Sequence, residues 1–232
     1  MPAMPYELDA SRLDRKRPLR DQIYDLVRHL ILTGRVAPGD VLDEKYIASK
    51  LNVSRTPVRE AVKKLSDEHL VDVVAQSGTR ASHIDREEVE QAYLIRRALE
   101  MESAAQAASR MNEGHAEALN DLLHQHARAI ERSRVAEAIT IDDRFHRYIA
   151  DISHLDRLWR AIDISKAQLD RCRHVMLPRQ GQGEATLEQH RNIIRALNSK
   201  DAERARRAMG EHLESAFAST LKAIESGDIE SR

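Results

Sequence analysis

Proline is absent from residue 58 through residue 177, and Gly114 is the only glycine from residue 79 through residue 180. Few segments except helices run that far on so little turn chemistry. Aromatic residues make up only 3% of the chain, which also disfavours an extensive sheet. The C-terminal part therefore reads as an all-α bundle, with helices expected over about 86–111, 114–133, 136–152, 155–175, 184–198 and 201–226. Faces such as Tyr93, Ile95, Leu99, Ala104 and Ala107 read as bundle core, and residues 227–232 as a frayed end.

The first 84 residues are punctuated differently. Between residues 18 and 33, Leu19, Ile23, Leu26, Val27, Leu30 and Ile31 recur at helical spacing, and Gly34 stands where a helix would stop. Asp43 is placed to cap a short helix from Glu44 to Leu51 that Asn52 ends, and Ser54 to cap the next. Ile47, Leu51, Val58, Val62 and Leu65 form their expected shared core. The β-like stretches 70–75 and 79–84 flank Gln76-Ser77-Gly78, the pattern of a small hairpin. The fold expected is mainly α: a winged helix-turn-helix over residues 1–84, with an N-terminal arm, and an α-helical bundle over 85–232. Residues 1–16 are too polar and short to be placed as an element.

A formal net charge of −1 excludes a histone-like polycation but leaves room for a local basic surface. The longest apolar run, residues 92–95, is far below the ~20 residues a membrane helix needs, so no membrane partner is expected. One cysteine, Cys172, makes no internal disulfide, and the start lacks a signal-like apolar stretch; a cytoplasmic protein is expected.

Asn52-Val53 makes a tight break between two short helices, after which Arg55 and Thr56 open the second helix with Pro57 tolerated in its first turn. Arg55 and Arg59, spaced i,i+4, share a face opposite Val58, Val62 and Leu65. A helix so presented fits a major groove, where arginine pairs with guanine and backbone N–H groups meet phosphate. Spacing alone leaves a solvated basic face equally open. The residues Val53-Ser-Arg-Thr-Pro-Val-Arg-Glu-Ala, preceded by Glu44-x-x-Ile-Ala-x-x-Leu and followed by Leu65-x-x-Glu-x-Leu-Val, resemble the helix-turn-helix of GntR-family bacterial transcription regulators over roughly residues 17–83. The resemblance implies DNA contacts from Lys45, Ser54, Arg55, Thr56, Arg59 and Gly78, and a homodimer on an inverted-repeat operator. The family commonly has a basic residue just before the wing glycine; Gln76-Ser77 stand there instead, with Arg80 beyond.

In the second half, Asp142 and His146 stack i,i+4 on one helix face, and His190 and His212 lie among apolar companions on later helices. One carboxylate and three imidazoles suit Zn, Ni or Mn as a divalent metal ion, although an i,i+4 Asp/His pair alone is more often a surface pair. His124 and His126, i,i+2, read as surface residues. Asp142-x-x-Phe145-His146, Glu188-x-His190-x-x-Ile193-x-x-Ala196 and Ala208-x-x-x-His212 resemble the ligand-binding FCD domain of the FadR-like GntR branch. There the matching Asp and three His hold a divalent metal. Arg96-x-x-Leu99-Glu100 matches that domain's opening helix, whose arginine faces the cavity in many members, and six helices would suit the VanR-like subgroup.

A metal with open positions beside the Arg96 guanidinium favours a small carboxylate effector. Arg171, Arg173 and His174 read either as a second anion contact or as a solvated charged face. The expected protein is a ligand-responsive DNA-binding regulator, with repression relieved by effector as the commoner family pattern. Two other readings stay open: a metal sensor, or a metal-dependent enzyme in which the site activates water. No separate general base or nucleophile constellation supports the enzyme.

Overall fold

A chain this short of glycine still has to end its helices, and it does so largely with other residues in the left-handed region: Asn52, His69, Ser133, His154 and Lys200 all have φ between 51° and 57°. Each follows a helix or a helical turn, where the left-handed conformation normally falls to glycine. A side chain there costs about 1–2 kcal/mol. Lys200→Gly, at an exposed position, is accordingly expected to raise stability by about 1 kcal/mol, read as an upward shift of the thermal midpoint.

The structure, a computed structural model, describes residues 6–74, 78–176, 182–229 and 231, apart from the side chains of Arg12, Asp156, Val175, Met176 and Gln182. It divides into two compact units: the first runs to Asp85 and takes in Ser231, and the second begins at Arg86.

The first unit contains α1 (Leu19–Leu32), α2 (Glu44–Leu51), α3 (Arg55–Asp67), β1 (Val71–Val74) and β2 (Gly78–Ala81). The Asp43 carboxylate accepts from the backbone N–H groups of Lys45 and Tyr46 at 2.7 and 3.2 Å, starting α2. Ser54 stands at the N-cap of α3 but makes no side-chain capping bond. Ile23, Val27, Leu30 and Ile31 of α1 are buried, as are Ile47 and Leu51 of α2 and Val58, Val62 and Leu65 of α3. β1 and β2 pair antiparallel, Val71 opposite Ala81 and Val74 opposite Gly78. The preceding loop adds to the free edge of β2: Leu42 N–H donates to Thr79 O and Ala81 N–H to Asp40 O. Gln76 and Ser77, which stand just before the wing glycine in the sequence, lie outside the described residues.

The N-terminal arm is more ordered than its polarity suggested. From residue 6 onward it is placed: Tyr6 is buried edge-on to Tyr46 at 5.9 Å. Gln22 clamps the arm through both ends of its amide, accepting from Asp14 N–H and donating to Asp14 O, each at 2.8 Å.

The second unit contains α4 (Arg86–Ala108), α5 (Glu113–Glu131), α6 (Val135–Ile152), α7 (Asp156–Ser165), α8 (Ala167–Met176), α9 (Gln182–Asn198) and α10 (Ala202–Glu225). Asn112 and Asp201 cap α5 and α10. The small residues Ser103, Ala104, Ala107 and Ala108 are buried on α4, which packs closely with α10. At one close approach Gly210 lies under Met101, where an added Cβ would fall 3.2 Å from the sulfur. Phe145, Ile149, Leu119, Ile193, Leu197 and Met209 lie in the continuous core.

Three expectations are corrected here. The single helix expected over 155–175 is two segments broken at Lys166, so the unit has seven helices among the described residues, and the count does not favour the VanR-like subgroup. The break falls where the chain buries Lys166, whose ammonium reaches Asp170 at 2.5 Å and Asp143 at 3.1 Å. Ile95 is not core: it is exposed beside Leu94, because α4 turns its small residues inward. Residues 227–229 are not frayed, since Gly227 takes a left-handed φ and the buried Ile229 donates to Ala223 O at 3.1 Å.

Candidate functional site

On the first unit, Asn52 (φ 51°, ψ 53°) reverses the chain so sharply that only Val53 and Ser54 separate it from the start of α3. That turn leaves Lys45, Ser54, Arg55, Thr56 and Arg59 exposed, while Val58, Ala61 and Val62 point inward. Glu44 lies between the two arginines, 3.5 Å from Arg55 and 3.2 Å from Arg59, and holds both guanidinia on one side of the helix. Arg15 of the arm donates to Asn52 O at 3.2 Å, adding a further cation beside the turn. Gly78 is exposed with φ +89°, and among the described residues nothing lies within 4 Å of the place a Cβ would occupy. Arg80, the candidate replacement for a wing-tip cation, donates to Gly39 O at 3.0 Å and remains exposed.

In the second unit Asp142, His146, His190 and His212 are all buried, and one ligand atom from each lies within 4.8 Å of the others. Each imidazole is held differently. His146 Nδ1 is 2.5 Å from Glu100 Oε2. His212 Nδ1 is 2.9 Å from Gln189 Oε1, an acceptor, so this nitrogen carries the proton. Both rings then turn an Nε2 lone pair inward, and these two nitrogens face each other at 3.2 Å. Two lone pairs at that distance repel unless a proton or a cation lies between them. The His190 ring lies flat on Phe145 at 4.2 Å; neither of its nitrogens makes a hydrogen bond to a described residue, although Nε2 is 3.3 Å from Asp142 Oδ1. Such convergence, with outside partners fixing the rings, fits a divalent cation.

Electrostatics set the protonation states the same way. Burial pushes the pKa of His190 well down and that of His212 down to about 3, so both are neutral at ordinary pH. Burial alone would raise Asp142, but Arg173 and the neighbouring histidines outweigh it and hold the carboxyl well below its usual range. Arg96 is buried with its Nε on Glu100, and it reaches the same cavity as Asp142 and His212, a space of about 380 Å³.

Comparison with known proteins agrees with both halves. The chain matches the family "Bacterial regulatory proteins, gntR family" over residues 19–80 and the FCD domain over residues 91–215. It is 35% identical over 204 residues to the HTH-type transcriptional repressor RspR of Escherichia coli (strain K12), covering 88% of this chain and 90% of that one. The chain belongs to the GntR family. Another relative of this GntR regulator is a probable D-xylose utilization operon transcriptional repressor of Paenarthrobacter nicotinovorans, 30% identical over 198 residues and covering 83% and 84% of the two chains. The solved structure titled E. coli McbR/YncC superposes with a TM-score of 0.77 over 88% of this chain and 97% of that one; at 22% identity it bears on the fold alone. The protein is thus a transcriptional regulator of a family that binds DNA operators, and not an enzyme.

Sequence reasoning placed one residue of this GntR regulator wrongly and left another open. His126 is not a surface residue: it is buried, its ring 5.4 Å from His190, because α5 turns that position toward α9. Of the two readings open for Arg173, the solvated face is the one the structure removes. Arg173 donates to the Asp142 carboxylate and lies 3.1 Å from Asp143 and 3.4 Å from Asp170, while Arg171 is also buried. The signal was the clustering of Asp142, Asp143, Lys166, Asp170 and Arg173, which opposite charges can share only when packed together.

The neutral histidines give the chelator-treated regulator a definite pH dependence. His126, His190 and His212 are all harder to protonate when folded than when unfolded, so below about pH 6.5 the unfolded chain binds more protons. Stability should fall with pH from about 6.5, by up to about 1.4 kcal/mol per unit for each histidine, with Asp142 adding to the loss below about pH 4. Urea midpoints at pH 7, 6 and 5 in EDTA read this directly, and a midpoint that does not move contradicts it.

Proposed function

We propose that this regulator is a ligand-responsive repressor: a homodimer that reads an inverted-repeat operator and releases it when a small carboxylate binds at a divalent metal. Asp142, His146, His190 and His212 would hold the ion, and the three imidazoles with one carboxylate suit Zn, Ni or Mn. The ion supplies Lewis acidity that draws a carboxylate oxygen, and Arg96 supplies a guanidinium for the same anion. The observation that carries this reading is the convergence of the four residues beside a cavity that Arg96 also lines. A cavity next to the ion favours effector sensing over a regulator for which the metal is the only signal.

At the other end, Lys45, Ser54, Arg55, Thr56 and Arg59 would meet the major groove and Gly78 the adjacent backbone or minor groove, with residues 1–84 as the DNA-binding domain and 85–232 as the sensing domain. A single recognition helix covers only a few base pairs, so two copies on related half-sites are the natural route to specificity. Exposed Leu94 and Ile95 on α4, and Ile164 on α7 packed beside it, offer an apolar face for the second copy. The effector shifts the population between dimer geometries that separate the two recognition helices differently. The regulator acts on DNA in the cytoplasm.

Footprinting on the DNA upstream of the regulator's own gene tests the reading. Two symmetry-related protected patches about one or two helical turns apart are expected. Leu94→Glu with Ile95→Glu should convert the dimer to monomer in sedimentation and weaken protection. A single asymmetric patch bound by a monomer contradicts the proposal.

A further inference from the structure

The densest run of positive charge in the chain lies just ahead of α1. Residues 11–20 carry five cations, Arg12, Arg15, Lys16, Arg17 and Arg20, against the single acid Asp14, in a chain whose formal net charge is −1. Such a run is usually a solvated or disordered stretch. Here it is folded into a turn. Arg17 N–H donates to Asp14 O at 3.1 Å, and the Asp14 carboxylate accepts from Lys16 N–H at 2.9 Å, so Arg15 and Lys16 occupy the two corners. From α1, the Gln22 amide accepts from Asp14 N–H at 2.8 Å and donates to Asp14 O at 2.8 Å and Arg17 O at 3.2 Å. One side chain thus holds both ends of the turn.

The same turn is fixed against the break between α2 and α3. The Arg15 guanidinium donates to Asn52 O at 3.2 Å, a bond that uses one of its five N–H groups. Asn52, Ser54, Arg55 and Thr56 are all exposed there. Asn52 is three residues from Arg55, at most about 11 Å of chain, so the Arg15 guanidinium stands beside the exposed first turn of α3. Arg15 and Lys16 are themselves exposed, and the Lys16 ammonium has no partner among the described residues. Arg17 differs, being within electrostatic range of Asp25 on α1. Further back, the buried Tyr6 ring against Tyr46 anchors the arm to α2.

Anchoring at α1, at α2 and at the α2–α3 break orders a stretch that its charge would otherwise disperse, and sets two adjacent cations next to the helix assigned to the groove. Phosphates border a groove on both sides, and a preordered cation there makes its contact without the entropy cost of ordering an arm on binding. We propose that the Asp14–Arg17 turn is a second DNA-contacting element, in which Arg15 and Lys16 each meet a backbone phosphate beside the groove that α3 enters. The inference rests on the reading of α3 as the recognition helix. It adds a contact that positions the protein and carries no base sequence.

Salt dependence tests this, because each neutralised phosphate adds about 0.9 to the slope of log affinity against log salt. Full-length zinc-loaded protein is titrated against a duplex carrying its footprinted upstream site, and against a scrambled duplex, over a series of salt concentrations. Two contacts per protomer make four in a bound dimer, so Arg15→Gln with Lys16→Gln should make the slope shallower by about 3–4. Affinity at 0.15 M salt should fall about 10²–10³-fold. The preference for the site over the scrambled duplex should stay within threefold of the wild type, whereas the loss of a base contact would reduce it. Lys16→Gln alone should make the slope shallower by about 2, and it breaks no bond in the folded chain, which guards against a variant that merely folds poorly. Arg35→Gln removes a cation beyond the far end of α1, about 21 Å of helix away, and should leave the slope unchanged. An unchanged slope in the double variant, an equal loss in Arg35→Gln, or a collapse of the site preference overturns the proposal. If the wild type shows no preference for its upstream site, the reading of α3 fails, and the second element fails with it.

Discussion

Replacing His190 with alanine is expected to lower bound zinc from one ion per chain to less than a tenth, and to remove the thermal stabilisation that zinc gives the wild type. The ring is fully buried, stacked on Phe145, and turns a nitrogen toward Asp142 at 3.3 Å. Without it the site has three candidate ligands, and the facing nitrogens of His146 and His212 lose the geometry that recruits a cation. An ion present at 1,000 times its dissociation constant contributes about 4 kcal/mol to folding, so the wild type should melt well above its EDTA-treated form. The variant should melt at one temperature under both conditions. His124→Ala, exposed on α5, should behave as the wild type does. Metal analysis with paired melts in zinc and EDTA measures both effects; a His190→Ala protein with a full complement of zinc contradicts the assignment.

The double substitution Arg55→Ala, Arg59→Ala should reduce operator affinity by about 10²–10⁴-fold, each bidentate arginine–base contact being worth about 1–3 kcal/mol. Both side chains are exposed, so the melting temperature should hardly change. Glu44 does not lock them away: exposed ion pairs are worth about 0–1 kcal/mol, less than the contacts available in the groove. Fluorescence anisotropy against a labelled operator and a scrambled duplex reads the loss and its specificity. Binding that stays within threefold of the wild type would show that α3 does not read the DNA.

What could be read from the sequence was local. Asp43 as a cap, Asn52 as the turn and Val58, Val62 and Leu65 as one buried face each follow from a few neighbouring residues, and each has the expected conformation or burial. Asp142 and His146 share a helix face for the same reason. His190 lies 44 residues beyond His146 and His212 another 22 beyond His190, and only the resemblance linked them to that pair. What was not legible depended on which way a helix is turned. The i,i+2 spacing of His124 and His126 correctly puts them on different faces, but spacing does not say that His126 is the one facing in. Ile95 failed in the opposite direction, because the small residues of α4 pack against α10 and leave a large one outside. The break between α7 and α8 carries no proline or glycine; it accompanies a lysine buried among carboxylates on three elements, a tertiary arrangement without a local signature.

Operator binding measured with and without metal and acid joins the two units most directly. The regulator, zinc-loaded and at fixed ionic strength, is titrated against DNA from upstream of its own gene, alone, with EDTA, and with each of a panel of small carboxylates. Specific binding that one class of acid releases, and that the same acid no longer releases after chelation, is the expected result. Specific binding indifferent to every acid and to EDTA would contradict a metal-anchored carboxylate switch, and absence of specific binding by the intact zinc-loaded protein would contradict the DNA-reading role assigned to α3.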